Sequence, residues 1–143
     1  MTDRDDNLPE YQLDRQVGFL MRRANQRHLA LFARGIPDLT PTQFAALAKL
    51  CELGRATQNA LGRATAMDAA TVKGVADRLR KRGLVEAAPD PDDQRRLHLT
   101  PTAAGRALYA AQIAAAHAIT EATLEPLKAE EREIFLRLLE KLT

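Results

Sequence analysis

The stretch from residue 68 to residue 100 constrains the fold most, because its hydrophobic period changes abruptly at Gly83. Before this glycine, apolar residues recur at three- and four-residue steps, the spacing of an amphipathic helix that Asp68 is placed to cap. After it, "LVEA" (84–87) and "RLHL" (96–99) alternate apolar and polar residues on either side of an acidic, proline-containing turn. The stretch therefore predicts a helix followed directly by a β-hairpin.

Three further helices are predicted before residue 68. Apolar residues over 13–31 follow a helical stripe, which Gly35 is expected to end. Thr40 followed by Pro41 has the form of an N-cap and a first helical residue, so a second helix is expected to begin there. Thr57 is placed to cap a short third helix, which joins the helix after Asp68 through a tight turn.

Two helices are predicted after the hairpin. Thr100 and Pro101 repeat the cap-then-proline pattern, which predicts the start of a long Ala-rich helix that runs to about residue 123. Pro126 separates it from a last amphipathic helix in "EEREIFLRLLEKL" (130–142), whose apolar face needs a partner surface. The predicted fold class is mainly α with a small β-hairpin wing.

Composition narrows the class of protein. Hydrophobic residues make up 45% of the 143-residue chain and aromatic residues only 4%, which favours one helical body. Cys51 is the single cysteine, so an intramolecular disulfide and a Cys-based zinc site are excluded. There is neither an apolar run near the ~18 residues of a membrane span nor a secretory leader pattern. We therefore expect a cytoplasmic protein with no membrane partner.

The distribution of charge suggests a nucleic-acid partner more than the formal net charge of +2 does. Residues 73–82 contain five bases and one acid, and these bases lie off the apolar stripe of the helix. Two short helices joined by a tight turn and followed by a hairpin have the order of a winged helix-turn-helix. In this fold the second, basic helix reaches base edges and phosphates in the major groove. The candidate DNA contacts are Gln58 and Asn59 on the preceding helix and Ala70, Thr71, Lys73, Gly74, Asp77, Arg78 and Lys81 on the basic helix.

Gly74 is unusual because glycine inside a helix costs about 1 kcal/mol relative to alanine. Two explanations remain open from the sequence. The missing side chain allows the helix to approach DNA closely, or it allows close packing against a neighbouring helix.

Three segments carry a resemblance to a known family: "TPTQFAAL" (40–47), "TVKGVADRLRKRGLVE" (71–86) and "DPDDQRRLHLTPTAAG" (90–105). In these segments the chain resembles the MarR family of bacterial transcription factors. The wing pattern Asp-Pro-x-Asp-x-Arg followed by Leu-Thr-x-x-Gly is the most specific of the three. The resemblance extends over nearly the whole chain after residue 10.

The resemblance implies a homodimer in which the terminal helices interlock and place two winged domains on a near-palindromic operator. It divides the chain into a flexible arm (1–10), a helical dimerisation region (11–35 and 101–143) and a winged helix-turn-helix DNA-binding region (36–100). Double-stranded operator DNA is the implied macromolecular partner, and the implied activity is regulation of transcription, with repression expected.

The resemblance also gives the wing a role. Arg95 is expected to enter the minor groove, whose negative potential attracts an inserted arginine. Asp93 is expected to steady the wing by pairing with Arg95 or with a helix base such as Arg78, while Arg96 belongs either to the contact or to the strand. The alternative is a solvated turn with incidental charges.

Family members usually sense a small anionic or aromatic molecule in a cleft between the dimer helices and the winged domain. The first predicted helix combines apolar side chains with cations, which suits an aromatic acid or its coenzyme A thioester. It is also similar to regulators of aromatic-acid catabolism. The candidate effector residues are Phe19, Arg22, Arg23, Arg27, His28 and Phe32. The alternatives are a solvated arginine stripe and a hydrogen-bonded core or dimer histidine.

Other functions find less support. There is no Gly-rich phosphate loop, no G-x-S-x-G elbow and no metal-ligand spacing, so we expect no enzyme activity, no catalytic residue, no metal and no cofactor. Two alternatives remain: a winged-helix module that binds protein, and a redox-responsive regulator that uses Cys51. The second is disfavoured because Cys51 shares a helix face with Phe44 and Leu47, where a buried thiol is inert.

Overall fold

The computed structural model describes residues 8–143, so most of the arm predicted over 1–10 lies outside the described residues. The described chain is mainly helical with a small antiparallel sheet, which confirms the predicted fold class. Its elements are a 3-10 turn (Leu13–Arg15), α1 (Val17–Gly35), α2 (Pro41–Leu53), β1 (Ala56–Thr57), α3 (Gln58–Ala64), α4 (Ala69–Lys81), β2 (Val85–Pro89), β3 (Leu97–Pro101), α5 (Ala103–Leu124) and α6 (Ala129–Glu140).

Helix starts before the hairpin follow the predicted caps. The side-chain oxygen of each cap accepts a hydrogen bond from the backbone N–H three residues later, at 3.2 Å for Thr40, 3.2 Å for Thr57 and 2.7 Å for Asp68. These bonds satisfy N–H groups that have no partner within the helix. The caps predicted for α2, α3 and α4 are therefore confirmed.

The predicted start of the Ala-rich helix is wrong by two residues. Thr100 and Pro101 belong to β3, where Pro101 is opposite Val85 in the antiparallel ladder. The cap is Thr102, whose hydroxyl accepts from the backbone N–H three residues later at 3.1 Å. Thr100 and Pro101 belong to the sheet because they pair with β2. Thr102, the next threonine, therefore caps α5.

The sheet has three strands in the order β1-β3-β2, whereas the sequence predicted two. The additional strand is β1, in which Ala56 is opposite Leu99 of the central strand. Two residues are too few to show an alternating pattern. The hairpin strands are also displaced from their predicted bounds, and Arg96 consequently lies in the turn just before β3 rather than in the strand.

The core lies beneath α4 and the sheet, and the two ends of the chain contribute little to it. Its fully buried side chains include Ile36, Leu47, Leu50, Leu61, Val72 and Leu79. The 3-10 turn, α1 and α6 instead expose large apolar side chains, among them Leu13, Val17, Leu20, Ile134, Phe135, Leu138 and Leu139. No helix within residues 8–143 combines the length and apolarity that crossing a bilayer requires.

Candidate nucleic-acid interface and effector region

Helix α4 presents its polar residues outward because its apolar stripe is buried. Val72, Val75, Ala76 and Leu79 are all buried against the core. The opposite face carries the seven residues predicted on this helix, of which Gly74 and Asp77 are half-buried and the following are exposed: Ala70, Thr71, Lys73, Arg78 and Lys81. On α3, Asn59 is exposed and Gln58 is half-buried. The structure therefore brings the predicted contacts of α4 to one face of this helix.

One base on this surface is already paired. The Lys73 ammonium lies 3.1 Å from the Asp77 carboxylate one helical turn later, with 67% and 43% of the two side chains exposed. An exposed pair at this spacing contributes little to stability. A phosphate can therefore draw Lys73 away from Asp77 at small cost.

Gly74 does not pack against a neighbouring helix. A Cβ atom at this position would meet only the guanidinium of Arg78 on the same helix, at 3.5 Å, among residues 8–143. The close-packing explanation is therefore wrong. The missing side chain leaves an open backbone surface in the middle of the outward face of α4.

The acids of the wing turn fold it by accepting hydrogen bonds from its own backbone. The Asp90 carboxylate accepts from the N–H of Asp92 at 2.8 Å, and the Asp93 carboxylate accepts from the N–H of Arg95 at 3.0 Å. The N–H of Asp92 is also the main reason that the pKa of Asp90 lies below its ordinary value. The acidic residues thus specify the shape of the turn.

Asp93 does not form the ion pair predicted with the side chain of Arg95 or Arg78. Its second carboxylate oxygen lies 3.8 Å from Nε of Arg96. Asp93 instead holds the backbone of Arg95, and within residues 8–143 the Arg95 guanidinium has no hydrogen bond or ion pair. Arg95 is therefore anchored by its main chain while its charge remains available.

Asp68 supports a pH-dependent prediction for α4. The backbone N–H of Thr71 holds the pKa of Asp68 below its ordinary value of 3.8. A carboxyl with a lower pKa in the folded state stabilises that state above its unfolded pKa, and this contribution is lost as the pH falls through the folded pKa. Asp68→Asn keeps a cap but no titrating group, so we expect a shallower loss of stability below about pH 4. Urea midpoints across this range provide the measurement, and an acid limb identical to that of the wild type would contradict the assignment.

Arg27, a predicted effector residue, is bound to the end of α5. Its two terminal nitrogens donate to the carbonyl oxygens of Thr123 at 2.6 Å and Ala122 at 2.8 Å. These carbonyls belong to the last turn of the helix, where a cation also complements the helix dipole. Arg27 therefore joins α1 to α5 and is less available for a ligand than its neighbours.

His28 makes a second link between the same helices. Its Nδ1 lies 2.9 Å from the Thr123 hydroxyl, which donates its own proton to the Ile119 carbonyl at 2.8 Å. The hydroxyl must then accept from His28, which places a proton on Nδ1, and among residues 8–143 Nε2 has no hydrogen-bond partner. This geometry agrees with the alternative of a hydrogen-bonded histidine.

The other candidate effector residues differ in environment. Arg22 and Arg23 are exposed, and the Arg23 guanidinium lies 5.9 Å from the ring centre of Phe19. Phe32 is buried, with its ring edge-on to that of Phe44. The six candidates thus range from exposed arginines to a buried phenylalanine.

A cleft of about 350 Å³ lies between the end of α1 and the start of α2. It is lined by Leu29, Phe32, Ala33, Ile36, Pro37, Asp38, Leu39, Thr40, Pro41 and Gln43. Only Phe32 belongs to the predicted effector set, and the lining contains an acid but no base. This cleft is therefore mismatched to an anionic ligand.

Cys51 is half-buried against the core. Burial raises the pKa of its thiol, and the Arg106 charge opposes this shift only in part. The thiol consequently stays protonated near neutral pH, the form that reacts poorly with oxidants. The environment of Cys51 gives no support to the redox alternative.

Comparisons with known proteins agree with this geometry. Residues 38–96, which include α2 to the end of the wing turn, match a family model described as the MarR family. The HTH-type transcriptional repressor NicR of Pseudomonas putida is 42% identical over 139 residues, which cover 96% of this chain and 87% of NicR.

Two solved structures are similar over almost their whole length. A probable transcriptional regulator from Pseudomonas aeruginosa is 54% identical with a TM-score of 0.90, covering 92% of this chain and 100% of that protein. BpsR of Bordetella bronchiseptica, whose DNA binding is regulated by 6-hydroxynicotinic acid, is 40% identical with a TM-score of 0.90, covering 94% and 97% of the two chains.

Proposed function

This chain belongs to the MarR family of transcriptional regulators and is not an enzyme, and from that premise we propose that it is a homodimeric repressor released from its operator by a small aromatic acid. The observation that carries the proposal is the pairing of two features on one domain: the outward basic face of α4 and a wing whose Arg95 is anchored by its backbone with its charge available. NicR, a named repressor, supports the direction of regulation.

The dimer is supported by the apolar residues that the chain leaves exposed. Val17 and Leu20 on α1 and Phe135 and Leu138 on α6 are each more than 40% exposed, on helices at the two ends of the chain. Apolar faces of this extent usually mark an association surface, and a two-fold dimer covers the same patch on both subunits. We therefore assign 11–35 and 101–143 to dimerisation.

DNA binding is proposed to use both features of the winged region. The open surface at Gly74 and the exposed bases Arg78 and Lys81 suit entry of α4 into a major groove, with Gln58 and Asn59 flanking it. Arg95 would enter the adjacent minor groove. Arg96 is proposed to act less directly because it lies beside the Asp93 carboxylate.

The effector class is proposed from the chemistry of α1 and from BpsR. Phe19, Arg22 and Arg23 offer a ring and exposed cations, and His28 offers a free Nε2. Because Arg27 is bound to α5, Arg22 or Arg23 is the better partner for a carboxylate. A free aromatic acid, such as the 6-hydroxynicotinic acid that regulates BpsR, is our first candidate, and a coenzyme A thioester is the second.

A mass measurement and a DNA titration test this proposal. Light scattering should give twice the 15.8 kDa of one chain, and the protein should bind a labelled duplex from the region upstream of its own gene. The logarithm of the affinity should fall steeply with the logarithm of salt concentration because phosphate contacts release counterions. Addition of 6-hydroxynicotinic acid should weaken binding.

Each part of the proposal can fail separately. A monomer mass would contradict the dimer, and salt-independent or absent binding would favour the protein-interaction alternative. Insensitivity to the free acid together with release by an aromatic acyl-CoA would replace the first effector candidate with the second.

A further inference from the structure

Arg82 follows the last residue of α4 and belongs to the basic run over 73–82, yet its guanidinium is bound to the protein. Its Nη1 donates to the backbone carbonyl of Asp38 at 2.7 Å and lies 3.4 Å from the side-chain oxygen of Gln43. Asp38 is in the loop between α1 and α2, far away in the sequence. Arg82 therefore joins the end of the basic helix to this loop.

The acceptor side of this contact is itself hydrogen-bonded. Gln43 is a buried polar residue with 8% of its surface exposed, and its side-chain oxygen also accepts from the N–H of Thr40 at 3.2 Å. The Thr40 hydroxyl in turn accepts from the N–H of Gln43 at 3.2 Å, which completes a reciprocal cap at the start of α2. Arg82 thus contacts a loop that the reciprocal cap ties to the start of α2.

The residues after Arg82 are held by Thr102, the N-cap of α5. The Thr102 hydroxyl donates to the carbonyl of Gly83 at 2.7 Å, and the Thr102 N–H donates to the carbonyl of Leu84 at 3.0 Å. Gly83 has a φ of +70°, so the chain turns sharply here from α4 into β2. The junction over 82–84 is therefore fixed by the α1–α2 loop and by the start of α5 together.

We propose that Arg82 is a positioning residue for DNA binding: it fixes the direction in which α4 and the wing project, and it does not bind a phosphate itself. The inference rests on the proposed operator binding. A hydrogen bond from a charged donor to a carbonyl is stronger than a neutral one, and a phosphate contact by Arg82 would leave the Asp38 carbonyl without this partner. Arg82 thus differs in role from the other bases of the run.

Arg82→Ala and Arg80→Ala form a matched pair for the test. Both remove one exposed arginine from the same end of the helix, but within residues 8–143 the Arg80 guanidinium has no hydrogen bond or ion pair. Affinity for the labelled upstream duplex is measured at a series of salt concentrations. Arg82→Ala should bind about tenfold more weakly with an unchanged salt slope, because no phosphate contact is lost.

Amide hydrogen exchange provides a readout that does not depend on DNA. Arg82→Ala should speed exchange over 38–40 and 83–85, whereas Arg80→Ala should leave these segments unchanged. Arg82→Lys replaces the alanine variant if the latter does not fold, because the lysine side chain is one atom shorter and its ammonium does not reach the position that Nη1 occupies between the two acceptors.

Two results would overturn the proposal. One is a salt slope that falls by about one unit in Arg82→Ala, which would indicate a lost phosphate contact. The other is unchanged exchange over 38–40. If the wild type binds no DNA, the proposed function fails, and the exchange comparison still decides whether Arg82 fixes the junction.

Discussion

Replacement of Gly105 with alanine is expected to lower the free energy of unfolding by about 3 kcal/mol. A Cβ atom on Gly105 would overlap the carbonyl oxygen of Leu84, and it would lie 3.0 Å from the Leu84 carbonyl carbon and 3.3 Å from a methyl group of Leu47. The first two atoms are backbone, so no rotamer change relieves the overlap. The same Leu84 carbonyl accepts the N–H of Thr102, and a shift would also disturb that bond.

Gly74→Ala is the matched control, since it also introduces one methyl group at a helical glycine. The new Cβ would meet only the flexible end of Arg78 at 3.5 Å. Alanine is favoured over glycine inside a helix by about 1 kcal/mol, so this variant is expected to be as stable as the wild type or more stable. Its DNA affinity should nevertheless fall if the open surface at Gly74 faces the groove.

Urea denaturation of both variants at one protein concentration separates these expectations, because the stability of the proposed dimer would depend on concentration. A Gly105→Ala midpoint equal to that of the wild type would show that α5 and the junction over 82–84 are not packed as described. A midpoint for Gly74→Ala below that of the wild type would indicate that Gly74 is needed for close packing.

Features whose physical cause is local were predictable from the sequence. The caps at Thr40, Thr57 and Asp68 were found because the cap and the amide that it binds are three residues apart. The buried stripe of α4 was found because its period reflects a single helix and the core beneath it. The winged order followed from the succession of these local patterns.

Features that depend on distant partners were missed. Strand β1 and the displaced cap at Thr102 follow from pairing with β3 and β2, and local patterns do not carry that information. Arg27 and Arg82 donate to main-chain carbonyls that are distant in the sequence, and a carbonyl has no residue-type signature. The sequence identified both arginines as exposed cations but not as links between elements.

The wing carries the other large expected effect: Arg95→Ala should weaken binding to the upstream duplex by about 1 to 3 kcal/mol and leave the thermal unfolding midpoint unchanged. The stability should be retained because the turn is held by a hydrogen bond from the backbone N–H of residue 95 to the Asp93 carboxylate. Alanine keeps this N–H. The affinity should fall because the guanidinium has no partner within residues 8–143 and is the part of the turn left to interact with DNA.

Arg96→Ala is the control that isolates the role of Arg95. It removes the same charge from the adjacent position, but the charge that it removes lies 3.8 Å from the Asp93 carboxylate and is partly neutralised by it. We therefore expect a smaller loss of affinity than for Arg95→Ala. Anisotropy titrations measure the DNA affinity of both variants at the same salt concentration. Equal losses of affinity would indicate only a general electrostatic attraction between DNA and the wing. A smaller salt slope in Arg95→Ala alone would instead place a specific phosphate or groove contact at that residue, and unchanged affinity in Arg95→Ala would remove the wing from the DNA interface.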